Sequence, residues 1–208
     1  IALARAMAPK PSLLLMDEPF SSLDLELREQ LAREVRFILK QEKISAILVT
    51  HDQNEAFAMG DSICVMNQGR VQQNDSAYNL YHSPLNRFVA EFIGEGNLLP
   101  GVVTDLDTIK TDLGEINGPL PIDYKKKDNV EVLIRPENVI LSDKSKNQAV
   151  IIACYFRGSG FLYTLKTSGG TELSCLLPGA DSLKIDQSIG IGLQIEKPVV
   201  FKRSAGVF

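Results

Sequence analysis

The feature that most constrains the fold is a short apolar run that ends in two adjacent carboxylates. Residues 13–16 are large and apolar, and Asp17 and Glu18 follow them directly. Such a run predicts a strand buried on both faces, as in the parallel sheets of α/β proteins. Open α/β sheets bind ligands at the carboxyl ends of their strands, where these carboxylates would lie. The pattern therefore favours phosphate chemistry, with Asp17 holding Mg²⁺ and Glu18 polarising an attacking water.

A second segment of the same kind supports this interpretation. The apolar run at residues 44–50 follows one intervening helix and leads into His51 and Asp52. The alternative, a strand that ends in a solvated acidic loop, fits most isolated Asp-Glu pairs. That alternative does not explain why a second predicted strand is also followed directly by polar side chains.

The intervening segment and the residues that follow have the alternating pattern of an α/β domain. Residues 23–41 predict an amphipathic helix whose core face carries apolar side chains three or four positions apart, namely Leu27, Leu31, Val35 and Ile38. Residues 53–59 predict a short helix and residues 61–67 a strand. Gln68 and Gly69 are typical of a hairpin turn into the next strand.

The sequence pattern changes at about Gly94. Glycines at 94, 96 and 101, together with Pro100, predict a linker. Five runs with strand character follow, at residues 130–134, 149–156, 161–167, 172–177 and 189–196. Several short strands separated by Gly and Pro turns favour a small β-barrel. We therefore expect two domains, at residues 1–94 and 95–208.

Composition argues against several other classes of protein. The 208 residues carry 22 basic and 26 acidic side chains, for a net charge of −4, and no basic stripe suited to nucleic acid is present. Three scattered cysteines without a C-x-x-C pair argue against a zinc site or a disulfide framework. No apolar run approaches the roughly 18 residues that a membrane-spanning helix needs.

Taken together, these segments resemble the ATPase subunit of ABC transporters. Residues 15–19 resemble the Walker B strand with its catalytic glutamate, residues 21–24 the D-loop, and His51 the switch histidine. Residues 1–7 resemble the helix that follows the signature motif. The sequence Arg-Pro-Glu at 135–137 resembles the motif of the TOBE domain, a barrel appended to importer ATPases for sugars, polyamines, sulfate or ferric iron.

The resemblance implies a fold and a set of site residues. The fold is α/β, the C-terminal part of a P-loop NTPase domain with a parallel sheet, followed by an all-β OB-like barrel. Asp17 would orient Mg²⁺, Glu18 would act as general base or position the water, and His51 would contact the γ-phosphate of ATP. Ser22 and Asp24 of the D-loop would contribute to the nucleotide site across a dimer, although the family usually has Ala where this chain has Ser22.

The resemblance also implies cofactors and partners. These are ATP and Mg²⁺, a second ATPase subunit in a homodimer, permease subunits, and a periplasmic or surface solute-binding protein, with no nucleic acid. The implied location is the cytoplasmic face of the bacterial cell membrane, and the implied function is ATP hydrolysis coupled to solute uptake. The amino-acid sequence at 95–101 and 197–201 is most similar to that of ferric-iron importer ATPases, with polyamine, sulfate and sugar importers as alternatives. A barrel that acts only as a regulatory small-ligand or protein-binding module is a further alternative.

Several family motifs do not occur in this sequence. It contains no G-x-x-x-x-G-K-[ST], no Leu-Ser-Gly-Gly-Gln and no Q-loop, so the resemblance covers the hydrolytic end of the nucleotide-binding domain. We expect this polypeptide alone to bind MgATP weakly and to hydrolyse none. We also expect the strand at 45–50 to have one open edge, because the family's Walker A strand would lie beside it. Residues 1–90 would then depart from the family arrangement or be completed by a second chain.

Overall fold

The computed structural model describes residues 2–179 and 183–203. The chain divides into two compact units, Ile1–Leu85 and Asn86–Phe208. The domain boundary that the sequence pattern places between residues 94 and 95 stays a prediction. Among the described residues, no helix has both the length and the apolar character needed to cross a membrane.

The first unit alternates helices and strands. Its elements are α1 (Ala2–Met7), β1 (Leu13–Asp17), α2 (Leu25–Gln41), β2 (Ser45–Val49), α3 (Gln53–Met59), β3 (Ile63–Asn67), β4 (Arg70–Asp75) and α4 (Ala77–His82). Strands β1 and β2 are parallel, and β3 and β4 form an antiparallel hairpin. Gln68 and Gly69 have φ angles of 48° and 72°, which suit a two-residue hairpin turn of the primed type. The predicted hairpin is therefore confirmed.

The prediction that β1 is buried on both faces is wrong. Leu14 and Met16 are 5% and 6% exposed, whereas Leu13 and Leu15 are 48% and 69% exposed. The exposed residues share a face with Ile47 and Val49 of β2, because parallel register pairs Leu15 with Ile47. Helix α2 packs on the face that carries Leu14 and Met16. In the described part of the chain, β2 pairs with no strand other than β1. Completion of this edge by a second chain stays a prediction.

The core face of α2 matches the predicted one only in part, since Val35 is buried and Leu31 packs against the core. Ala32, Val35 and Leu39 are buried, whereas Leu27 and Ile38 are 40% and 41% exposed. Apolar residues occur on more than one side of this helix, so helical periodicity alone does not decide which set packs against β1.

The second unit begins with α5 (Arg87–Phe92) and continues as strands. These are β5 (Asn97–Asp105), β6 (Thr108–Thr111), β7 (Gly114–Asn117), β8 (Asn129–Ile134), β9 (Val139–Leu141), β10 (Gln148–Phe156), β11 (Gly160–Thr167), β12 (Glu172–Pro178), β13 (Ser188–Leu193) and β14 (Val200–Lys202). They form two five-stranded sheets, in the orders β14-β8-β5-β6-β7 and β12-β11-β10-β13-β9. One hydrophobic core joins residues of both sheets, including Leu99, Val132, Ile151 and Leu165. The predicted fold class, an α/β part followed by an all-β barrel, is confirmed.

The predicted linker at 94–101 is partly wrong, because β5 begins at Asn97. Pro100 and Gly101 lie within β5 and pair with Glu131 and Val130 of β8. A Cβ atom on Gly101 would lie 2.7 Å from the side chain of Ile109. This glycine therefore permits close packing of neighbouring strands and does not mark a flexible connection.

Candidate functional site

The carboxyl ends of β1 and β2 bring the two predicted catalytic residues into contact. The strands are adjacent and parallel, with Asp17 opposite Val49, so the residues that follow them emerge at the same edge. Nδ1 of His51 lies 2.8 Å from Oε1 of Glu18. The two side chains are 33 positions apart in the sequence, and the parallel register is what places them together.

The backbone at Glu18 has a conformation that non-glycine residues rarely adopt. Its φ angle is 44°, in the left-handed region. Its N–H donates to the carbonyl oxygen of Val49 at 2.8 Å, and its own carbonyl accepts hydrogen bonds from the N–H and hydroxyl of Ser21. Left-handed non-glycine residues cost of order 1 kcal/mol and cluster at functional sites. The turn directs the Glu18 side chain away from the strand and towards His51.

The charge of His51 depends on this contact. The hydrogen bond that His51 donates to the Glu18 carboxylate is the main cause that raises the pKa of His51 above its ordinary value of 6.5, and the carboxylate charge adds to it. Slight desolvation opposes the shift, while Asp52 and Glu55 reinforce it. The His51 side chain is 74% exposed and that of Glu18 46%, so both are accessible to solvent and ligand.

Asp17 is exposed at the last position of β1. Mg²⁺ is typically held by one or two carboxylates together with waters and substrate phosphates. In the described ranges, no group of three or more His, Cys, Asp or Glu side chains is arranged to hold a metal ion. The single exposed carboxylate of Asp17 is therefore compatible with a Mg²⁺ ion whose other ligands are phosphate oxygens and waters.

The predicted D-loop residues are placed by the start of α2. Asp24 is the N-cap of this helix, and its Oδ1 accepts a hydrogen bond from the N–H of Leu27 at 2.9 Å. Ser22 is exposed in the turn that precedes it. A structural role for Asp24 is thus established, and nucleotide contacts by Ser22 and Asp24 stay predictions.

Sequence reasoning missed a polar cluster behind the His51 loop. Arg28 of α2 forms ion pairs with Asp52 and Glu55, and Glu55 is only 3% exposed. The one available signal was Asp52 followed three positions later by Glu55, which is typical of a helix N-terminus. That pattern does not reveal Arg28 as the partner, because the pairing depends on how α2 packs against α3.

Comparison with known proteins adds information on both units. Residues 132–201 match the TOBE domain family. Over 193 residues the chain is 36% identical to the spermidine/putrescine import ATP-binding protein PotA of Aster yellows witches'-broom phytoplasma, covering 92% of this chain and 45% of that protein. It is 38% identical over 192 residues to PotA 2 of Pseudomonas aeruginosa, covering 86% of this chain and 53% of that protein.

A third relative gives the same result. PotA of Acetivibrio thermocellus is 36% identical over 171 residues, which cover 81% of this chain and 48% of that protein. The chain therefore spans about half the length of the curated relatives that it matches.

Proposed function

We propose that this chain, which is similar to the ATP-binding subunits of ABC importers, supplies the hydrolytic end of such a subunit. The observation that carries the proposal is the 2.8 Å contact between Glu18 and His51 at the adjacent carboxyl ends of two parallel strands. The complete subunit would hydrolyse ATP to drive solute uptake.

In this proposal each site residue has a separate task. Glu18 accepts a proton from the attacking water or orients it, because a carboxylate is both a base and a hydrogen-bond acceptor. His51 donates a hydrogen bond from the neighbouring strand end to the γ-phosphate or to Glu18. Asp17 would hold Mg²⁺, which supplies charge neutralisation of the phosphates when it is bound. Phosphoryl transfer needs mainly placement and charge stabilisation, and these residues provide both.

The proposal extends to the assembly of the complete subunit. Two ATPase subunits would sandwich the nucleotides, with Ser22 and Asp24 of one subunit facing the site of the other. Permease subunits and a solute-binding protein would complete the importer at the cytoplasmic face of the cell membrane. The names of the relatives, which are import ATP-binding proteins, support this arrangement.

For the solute, the relatives favour one of the alternatives raised by the sequence. The three relatives described above are named as spermidine/putrescine import proteins, so we propose a polyamine. The resemblance to ferric-iron importers at 95–101 and 197–201 has no support among these relatives.

The test is reconstitution of the complete subunit with its permease in proteoliposomes. Uptake of labelled spermidine should depend on ATP and on the solute-binding protein, and spermidine should stimulate ATP hydrolysis. Ferric iron and sulfate serve as control solutes in the same vesicles. ATP-dependent uptake of a control solute in place of spermidine would contradict the polyamine assignment but not the ATPase assignment. Absence of ATP hydrolysis by the assembled importer would contradict both.

A further inference from the structure

We propose that Arg28 is a positioning residue that holds the D-loop (residues 21–24) and the histidine loop (residues 50–52) in a fixed relationship. The inference rests on the proposed function, since it takes Glu18 and His51 to act in hydrolysis. It assigns a role to a side chain that contacts neither of them.

One edge of the Arg28 guanidinium holds the D-loop backbone. Nη2 donates to the carbonyl oxygen of Leu23 at 3.0 Å and lies 3.4 Å from that of Ser21. The backbone N–H of Arg28 also donates to the carbonyl of Asp24 at 2.9 Å, in the first turn of α2. These contacts fix the D-loop against the helix that follows it.

The other side of the guanidinium faces two carboxylates of the next segment. Nη1 of Arg28 donates to Oδ2 of Asp52 at 2.8 Å, and Nε lies 3.5 Å from Oε1 of Glu55. The second oxygen of Asp52 accepts hydrogen bonds from the N–H groups of Asn54 and Glu55, so Asp52 also caps α3. Burial alone would raise the pKa of Asp52, but the bonds from Arg28 and the helix N–H groups outweigh it and lower that pKa below 3.8. Asp52 is therefore an anion at neutral pH.

Glu55 connects the cluster to the backbone on the other side of His51. Its Oε2 accepts a hydrogen bond from Oγ1 of Thr50 at 2.6 Å, and the same oxygen of Thr50 accepts from the N–H of Asp52 at 3.0 Å. Glu55 is 3% exposed, and a carboxylate at such a site requires a cation or several donors. Arg28 supplies the cation. The residues immediately before and after His51 are thus both tied to Arg28.

This geometry suits arginine and not lysine. A guanidinium offers five donors in a rigid planar fork, so it can bind carbonyl groups of one loop and carboxylates of another at the same time. An ammonium group is a compact charge that can satisfy only part of this set. Since displacements of about 1 Å can reduce a catalytic rate by about a hundredfold, loss of this link should reduce turnover.

The alternative is a structural ion pair that affects only stability, and α2 offers a matched control. Arg36 on the same helix binds the carbonyl oxygen of Met59 and pairs with Asp61 at 2.7 Å, at the opposite end of α3. It has the same kinds of partner as Arg28 but lies away from the loops of the site. The substitutions Arg28→Lys and Arg36→Lys both keep the charge and remove the fork.

The experiment measures kcat, KM for ATP and the thermal midpoint for both variants in the complete subunit. We expect a kcat lowered about tenfold or more in Arg28→Lys alone, with KM within about threefold of the parent in both variants, whatever the two thermal midpoints are. Glu55→Gln, which keeps the shape of the partner, should lower kcat in the same way if Arg28→Lys does not fold. Equal kcat values in the Arg28 and Arg36 variants, or a change in KM alone, would overturn the inference. If either of these outcomes is found and Glu18→Gln still abolishes ATP hydrolysis, the role of Arg28 is contradicted but the proposed function is not.

Discussion

Nδ1 of His51 and Oε1 of Glu18 are 2.8 Å apart, and this contact joins the two loops that follow β1 and β2. It pairs a side chain that titrates near neutral pH with a carboxylate suited to activate water. Because both side chains are exposed, the pair is open to a ligand at the strand ends.

The pH response of His51 should depend on Glu18. The carboxylate raises the pKa of His51 above 6.5, so Glu18→Gln should lower it towards that value. Below pH 6.5 the contact therefore makes its full contribution to the stability of the fold. This contribution is lost as the pH rises through the raised pKa of His51. NMR titration of the imidazole rings in the complete subunit measures the change, and His51→Gln identifies the signal of His51. An unchanged His51 titration in Glu18→Gln would show that the two side chains do not interact in solution.

Substitution of His51 should separate nucleotide binding from hydrolysis. His51→Ala in the complete subunit should lower turnover by about a hundredfold, because the proposed contact with the γ-phosphate would act mainly in the transition state. The dissociation constant for ATP should stay within a few-fold of the parent value. His82→Ala, which removes the second histidine of the 208-residue sequence, is the control and should leave both quantities unchanged. A variant that mainly weakens ATP binding would argue against a switch role for His51.

The second unit offers a prediction about stability. Arg135 is 4% exposed, and its Nη1 donates to the carbonyl oxygens of Ala90, Gly94 and Glu95 at 3.0–3.1 Å. Arg135→Met would leave the buried carbonyl of Ala90 and two partly buried carbonyls without this donor, and it should lower the free energy of unfolding by roughly 3 kcal/mol. The control is Arg157→Met, which removes an exposed ion pair with Glu95 and should change it by about 0.5 kcal/mol. Denaturant titration followed by circular dichroism compares the two variants, and equal losses would contradict the assignment.

The isolated 208-residue chain should fail to bind MgATP at micromolar concentrations. Asp17 and Glu18 repel a polyanion unless backbone amides and a lysine of a phosphate-binding loop compensate, and the sequence contains no such motif. Isothermal titration of the chain with MgATP measures this directly. Micromolar affinity would reveal a phosphate site outside the residues assigned to hydrolysis.

The comparison of sequence and structure shows which features local pattern determines. The hairpin at Gln68 and Gly69 was predictable because the turn depends on two adjacent residues. The exposure of Leu15 was not, because it depends on what packs over β1 rather than on the strand itself. Arg28 was missed for a similar reason, since its carboxylate partners lie on another helix. Glu18 and His51 were predicted as catalytic residues from motifs, and the parallel register of β1 and β2 is what brings them into contact.

The measurement that tests the central claim most directly is steady-state ATP hydrolysis by the complete subunit carrying Glu18→Gln. An amide cannot accept the proton of the attacking water, so turnover should fall by about a hundredfold or more while ATP affinity is retained. Glu26→Gln, an exposed carboxylate in the first turn of α2, should hydrolyse ATP at the parent rate. Near-normal hydrolysis by Glu18→Gln would contradict the proposed role of the Glu18 and His51 pair.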